Sequence, residues 1–398
     1  MKSKISVIGQ GYVGLPLSIT LAESGFSVWG VDVNPDLVAQ LNQGTSHVED
    51  IDTNRIKQQL VSGNYQATTD YSVITNTEVI VVCVPTPLLE DRNPDLSYLL
   101  NSVKSISERV KPGTLLIIES TVAPGTTRNL LVPIIEKQFG SITDRLHIAF
   151  SPERVDPQNQ NWNISNTPKL IAGLTPKSKK MAVDFYSSIV ANIVECDSVE
   201  VAETAKLLEN TFRLINISFI NEFRIFCDLL DIDIEEVIKL AATKPYGFMP
   251  FYPSLGIGGH CIPVDPLYLS HKAKEIGAPS RFIDLADEIN HAIPGYFVSK
   301  ADKILNGLLG RKILIVGLAY KPNVSDVRET PVIGLITELR QKGAQVLWHD
   351  DLVKEWAGEK SSLLSKEYDL AIIATPHDYL DLHKLGDTPI LNTRGSGN

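Results

Sequence analysis

A chain of 398 residues, 43 % hydrophobic and 21 % charged, is long enough for two or three domains with sizeable cores and too apolar for a disordered or fibrous protein. Its formal net charge of -10 argues against a nucleic-acid binder, while leaving room for a local basic pocket that takes a small anion. Four cysteines without a CxxC pair make neither a disulfide framework nor a structural zinc site, so no metal is expected and a reducing compartment fits.

The N-terminus, MKSKISVIGQGYVG, runs from a short basic start straight into a strand-like apolar run without a signal-peptide pattern. No later apolar stretch reaches membrane-spanning length, and a cytoplasmic protein is the expectation. Short apolar runs then alternate with amphipathic ones: ISVIG, GYVGLPLSITLAESG, SVWGVDVN, EVIVVCVPTP, TLLIIEST and LHIAFSPE. β-Branched strands separated by helices predict a doubly wound parallel sheet of the α/β class over residues 1–197. GQGYVG places Gly9, Gly11 and Gly14 between the first strand and its helix, with Tyr12 and Val13 inside the motif. Gly9 allows the tight turn, Gly11 lets a pyrophosphate approach the backbone, and Gly14 permits close helix packing. Such a motif alone is weak, but the next strand ends in Asp32, where a carboxylate bonds a ribose 2'-hydroxyl and repels a 2'-phosphate. The cofactor expected is therefore NAD.

Two further strand ends, CVPTP with Pro85 and Thr86 and ESTVAPGTT with Ser120 and Thr121, fall where sheet C-termini line a cofactor crevice, although the same residues also simply end strands. SPERVDPQ adds Glu153 and Arg154 after the strand LHIAF, either as a site or as a surface ion pair. From Ser198 to about Leu230 the chain has no glycine or proline and reads as one long helix begun by an Asp197/Glu200 capping-box-like pair. It carries Lys206 and Asn210 four residues apart, with Glu203 and Arg213 extending the stripe. Its second half is apolar nearly all round, which implies burial on several sides, partly against a second subunit. Residues 198–307 are accordingly taken as a central helical dimerisation domain, giving a homodimer or higher homo-oligomer.

Within that region YPSLGIGGHCIPVDP packs glycines and prolines around one thiol. Cys83 and Cys227 lie in periodic apolar runs and read as small core residues, whereas Cys261 belongs to no such pattern. It is a candidate nucleophile, with Asp265 reaching back to the thiol or to a lysine and His260 as loop scaffold. The βα pattern returns in RKILIVGLAYKP, PVIGLITELRQKG, AQVLWHD and YDLAIIATPH, which predicts a second, smaller α/β domain over 308–398. An NAD site together with a cysteine nucleophile suggests two successive oxidations: the thiol traps an aldehyde as a thiohemiacetal, a second hydride leaves, and the thioester is hydrolysed to an acid. Lys206 and Asn210 would stabilise the oxygen charge, and Glu153 with Thr121 would position and activate the water.

GQGYVGLPL, ESTVAPGTT, SPERVDP, ETAKLLENTFR, GIGGHCIPVDP and GLAYKPNVSDVRETP occur in one order, and with them the chain resembles the UDP-glucose/GDP-mannose dehydrogenase family. The resemblance implies two Rossmann-like doubly wound domains joined by a long central helix and a helical dimerisation region. It implies Cys261 as nucleophile, Lys206, Asn210 and Asp265 assisting it, and Glu153 and Thr121 serving the water step. For a UDP-sugar it implies contacts from Glu153, Arg154, Phe251, Tyr252, Gly256, Gly258, Lys321 and Arg394, with Arg328 facing the cofactor. AATKPYGFMPFYPSLGIGGHCIPVDPLYL is most similar to the UDP-N-acetylglucosamine branch, but Ser254-Leu255 interrupt that branch's PGPG pattern in a way that could reshape the sugar pocket. UDP-glucose and UDP-N-acetylgalactosamine are the alternative substrates, and a non-catalytic nucleotide-sugar or NAD sensor is the alternative of another class. Capsule, O-antigen or other surface polysaccharide precursors are the implied products.

Overall fold

The computed structural model describes residues 3–48, 51–142, 145–155, 159 and 161–394. Two compact units, Met1–Leu208 and Glu209–Asn398, part inside the long helix. The first holds one sheet of β1 (Lys4–Ile8), β2 (Ser27–Val31), β3 (Tyr65–Thr68), β4 (Val79–Val82), β5 (Leu115–Ile118), β6 (His147–Phe150), β7 (Lys169–Gly173) and β8 (Ile193–Glu195). Its order is β3-β2-β1-β4-β5-β6-β7-β8, so the chain changes direction of travel across the sheet between β1 and β4. That switch point is where an α/β sheet opens a crevice at its strand ends, and GQGYVG and CVPTP are the two segments that leave it.

Side chains alternate between two cores. Val81, Leu115 and Ile117 enter one, whereas Ile80, Val82, Leu116 and Ile118 enter the other, which is why the strands read as unbroken apolar runs. The expected parallel sheet departs from its rule once: β7 pairs antiparallel with β6. The connecting residues 151–168 hold no helix among those described, and without a crossover helix the chain re-enters the sheet in the opposite direction.

In the second unit β9 (Lys312–Val316), β10 (Gln345–His349), β13 (Leu370–Ile373) and β14 (Ile390–Asn392) form a parallel sheet in the order β10-β9-β13-β14, beside a small hairpin of β11 (Glu355–Trp356) and β12 (Glu359–Lys360). The two units share one local device. Gly9 and Gly317 both sit at φ 88°, and their amides donate to Val31 O and His349 O, each at 2.8 Å. In each unit the following amide, of Gln10 or Leu318, donates to the acid after the second strand, Asp32 or Asp350, again at 2.8 Å. In the second unit that acid is consumed internally: Asp350 is enclosed and bonds His377 Nε2 at 3.1 Å, whose Nδ1 accepts from the Asn323 amide.

The long helix spans Val199–Leu229, within a residue of expectation. Its cap is Ser198, not the Asp197/Glu200 pair. With the helix starting at Val199 it is the Ser198 oxygen that reaches the third amide, of Val201, while Glu200 bonds Arg128 at 2.6 Å. No helix among the described residues is long and apolar enough to cross a membrane.

Candidate active site

The three motif glycines fall into two kinds. A Cβ on Gly9 would lie 2.6 Å from Cys83 O and one on Gly14 1.8 Å from Gly9 O, so both positions are closed by the protein itself. A Cβ on Gly11 would meet nothing within 4 Å; the space above it is open. Half-buried Asp32 accepts from the amides of Gln10 at 2.8 Å and Asn34 at 3.0 Å, which leaves lone pairs on both oxygens for ribose hydroxyls. Amides at a helix start, clear space over one glycine and a carboxylate after β2 fit an NAD dinucleotide. Tyr12 meets His47 edge-on at 6.3 Å and Val13 packs on the core, so both brace the turn. The Ser120 hydroxyl donates to Val84 O at 2.7 Å, tying the end of β5 to the segment that carries exposed Pro85 and half-buried Thr86.

Behind Thr121 and Glu153 lies a buried charge cluster. Lys169 Nζ is 2.9 Å from Glu119 Oε1 and 3.6 Å from Glu153 Oε2. Glu153 Oε1 accepts from the amides of Arg154 and Val155, each at 2.7 Å. Burial alone would push the Glu153 carboxyl up, but Lys169, those two amides and Lys206 outweigh it and hold it below the usual carboxylate range. Lys206 therefore acts electrostatically on Glu153, and the motifs SPER and ETAK share a neighbourhood. Arg154 Nη1 donates to Pro168 O at 2.7 Å. The polar stripe on the long helix turns inward through Glu203, Lys206 and Asn210, while Arg213 points to solvent. Glu203 is wholly buried and accepts from the amides of Gly125 at 2.6 Å and Thr127 at 2.9 Å, which fixes the turn that follows Thr121.

In the second unit Asn210 Nδ2 donates to Asp265 Oδ2 at 2.6 Å, both side chains being buried. Asp265 opens the helix Asp265–Glu275 and accepts from the Asn210 amide. Half-buried Cys261 stands one turn before that helix, its carbonyl accepting from the amides of Val264 and Asp265. Protein fills much of the space above the glycine-rich loop. A Cβ on Gly258 would lie 2.8 Å from Glu329 O and from Tyr320 Cβ, and one on Gly259, at φ +86°, 2.8 Å from the Tyr320 ring. Gly256 sits at φ +133° beside Asn290. What Gly256 and Gly258 can offer a ligand is backbone, not empty space. His260 Nδ1 is 3.2 Å from Arg328 Nη2, and that guanidinium also grips Asp326 at 2.6 Å. Leu255 of the interrupted PGPG pattern is buried among Ile293 and Phe297, and Ser254 bonds the Asn221 oxygen through its amide. Phe251 lies against Phe212 and Tyr252 is exposed.

Lys321 follows β9 and Arg394 follows β14, both half-buried beyond strand C-termini. Burial lowers the Arg394 pKa from its ordinary value. The strand end before it is pinned by buried Arg224, which donates to Thr393 O and, at 3.0 Å, to Asn392 O while lying over the Phe297 ring. Lys169, Glu119 and Arg224 escaped sequence reasoning, and Glu203 was read only as part of a polar helix stripe. Glu119 had left a signal, an acid at the end of the apolar run TLLII; Lys169 lay in KLIAG, a strand that was not recognised.

Three family models match in chain order: the NAD binding domain of the UDP-glucose/GDP-mannose dehydrogenase family over residues 3–190, its central domain over 200–292 and its UDP binding domain over 314–392. The chain is 35 % identical to a UDP-N-acetyl-D-glucosamine 6-dehydrogenase of Pseudomonas aeruginosa, over 94 % of this chain and 87 % of that protein. It is 34 % identical to Protein CapL of Staphylococcus aureus, over 96 % and 92 %. Among solved structures, a UDP-D-ManNAc dehydrogenase of Pyrococcus horikoshii superposes with a TM-score of 0.91 at 31 % identity, covering 98 % of this chain and 95 % of that one.

Proposed function

The chain belongs to the UDP-glucose/GDP-mannose dehydrogenase family and is an NAD-dependent UDP-sugar dehydrogenase, and from that premise we propose that it carries the C6 hydroxyl of UDP-N-acetylglucosamine to the carboxylate in two oxidations. The observation that carries the four-electron course is Cys261, a thiol outside every apolar pattern, at the turn into a helix whose first residue, Asp265, is bonded to Asn210. NAD supplies the hydride acceptor. The thiol adds to the C6 aldehyde as a thiohemiacetal, and the second oxidation leaves a thioester on Cys261. Lys206 and Asn210 stabilise the oxygen that gains charge in each step. Water, positioned by Thr121, then gives its oxygen to the thioester carbonyl carbon and a proton to Glu153, and the C–S pair leaves with the sulfur as thiolate. Lys321 and Arg394 hold the UDP phosphates, Arg154, Phe251, Tyr252 and the backbone of Gly256 and Gly258 line the sugar, and Arg328 faces the cofactor.

The sugar assignment rests on the GGHCIPVDP stretch and on the Pseudomonas aeruginosa relative. UDP-N-acetylmannosamine is the second reading, favoured by the Pyrococcus horikoshii structure. We further propose a homodimer built on the long helix, whose exposed Leu208, Phe212, Phe219 and Phe226 recur at spacings of four and seven residues along one face. The product would serve surface polysaccharide such as capsule or O-antigen. The test is a panel of UDP-glucose, UDP-N-acetylglucosamine, UDP-N-acetylmannosamine and UDP-N-acetylgalactosamine with purified protein. Preference for UDP-N-acetylglucosamine, with acid formation abolished but NAD binding kept in Cys261→Ala, supports the proposal; full turnover by that variant removes the covalent course.

A further inference from the structure

The reversed strand β7 places a charge that the water step needs. Ala149 faces Gly173 and Phe150 faces Ala172 across the antiparallel pair, and carrying that register three residues further sets Glu153 opposite Lys169. The ion pair at 3.6 Å between them agrees with that register. On its other side Lys169 meets Glu119, two residues before Thr121, at 2.9 Å. The Lys169 and Glu119 side chains are 7 % and 0 % exposed, so that pair is closed to water, whereas the Glu153 side chain is 17 % exposed. Glu119 is further held by the Tyr186 hydroxyl and, at 3.7 Å, by the Cys83 thiol, both kept protonated because burial pushes their pKa values well up. The ammonium also lies 4.8 Å from the centre of the Tyr186 ring. Around Glu153 the charged and titratable groups are thus Lys169 on β7, Lys206 on the long helix, Glu119 after β5, Cys83 after β4, and Tyr186 at the end of the helix Pro176–Tyr186.

We propose that Lys169 is a positioning residue for thioester hydrolysis: its ammonium keeps the Glu153 carboxylate ionised and aimed, and Glu119 competes for the same charge. The inference rests on the reading that Glu153 takes the proton of the attacking water. One Glu153 oxygen is saturated by two backbone amides, so the oxygen on the Lys169 side is the one left to receive that proton. A single cation shared by two anions has a signature that packing alone lacks. Removing the cation and removing the competing anion must act in opposite directions.

The experiment follows decay of the acyl adduct on Cys261 by quenched-flow mass spectrometry across pH, with NAD and, in parallel arms, UDP-N-acetylglucosamine and UDP-N-acetylmannosamine. Lys169→Met should move the acidic limb of hydrolysis upward by about 1–3 pH units, slowing it roughly tenfold or more below the limb. Glu119→Gln should move the limb downward, and Lys169→Arg should return it toward its wild-type place relative to Lys169→Met. Should Lys169→Met not fold, Glu119→Gln and the double variant Lys169→Met/Glu119→Gln decide, the double lying above Glu119→Gln. Shifts of the same sign, or none, with Glu153→Gln stalled at the thioester, overturn the role of Lys169 alone. Wild-type hydrolysis by Glu153→Gln overturns the role of Glu153 and the inference with it.

Discussion

Gly11 and Gly14 stand three residues apart in one motif, and the structure separates what each is for. A methyl on Gly14 would sit 1.8 Å from the Gly9 carbonyl oxygen, against an optimal contact of about 3.5 Å, so the first helix must move away from the turn. Overpacking of this kind costs about 1–3 kcal/mol. At about 2–4 °C per kcal/mol for a unit of this size, Gly14→Ala should melt roughly 2–12 °C lower without any ligand. A methyl on Gly11 meets no atom within 4 Å, so unliganded Gly11→Ala should melt within about 2 °C of wild type. Its deficit appears only with cofactor. At a concentration 100 times its Kd, NAD stabilises the wild type by about 2.7 kcal/mol, roughly 5–11 °C, and Gly11→Ala should lose most of that shift at the same concentration. Thermal unfolding of the full chain, with and without NAD, checks both. A low unliganded Tm for Gly11→Ala, or an intact NAD shift, would refute the claim that Gly11 is kept bare for a phosphate.

Glu203→Ala strips the partner from two buried amides and should cost about 2–4 kcal/mol in urea unfolding, whereas Glu200→Ala, which breaks a partly exposed pair with Arg128, should cost less than about 1 kcal/mol. Burial alone would raise the Asp350 carboxyl, but His377 and the amides of Val353 and Leu318 hold it well below the usual range. A depressed acid stabilises the fold above its unfolded pKa of about 3.9 and loses that contribution as pH falls through the folded value. Asp350→Asn should therefore lower stability by about 3–5 kcal/mol at pH 7 and flatten the acid side of the stability-pH curve measured by denaturant melts. Phe219→Glu/Phe226→Glu puts charges on the exposed helix stripe and should convert a dimer to monomer in light scattering; an unchanged mass would place the interface elsewhere.

Periodicity revealed what periodic packing determines. The strands ISVI, VIVV and LLII are apolar on both faces because two cores meet them, and the 31-residue helix announced itself by its freedom from glycine and proline. Residues whose partners are distant in sequence left no such mark. Lys169 looks like any strand-flanking lysine until β7 reverses and sets it between Glu119 and Glu153. The glycines of GIGGHC gave no hint of their neighbour; at Gly258 and Gly259 they make room for Tyr320, some sixty residues away in the chain. Ser254-Leu255 stood out as a departure from a motif, and nothing in that pattern showed that Leu255 is a core residue. Cys261, in contrast, stood out because it fitted no period.

The central claim is that one enzyme performs both oxidations, the second on a thioester at Cys261. Its most direct measurement is the amount of NADH formed per UDP-sugar consumed by the purified protein. The predicted ratio is two, with the uronic acid as product; a ratio of one with accumulating aldehyde would contradict it.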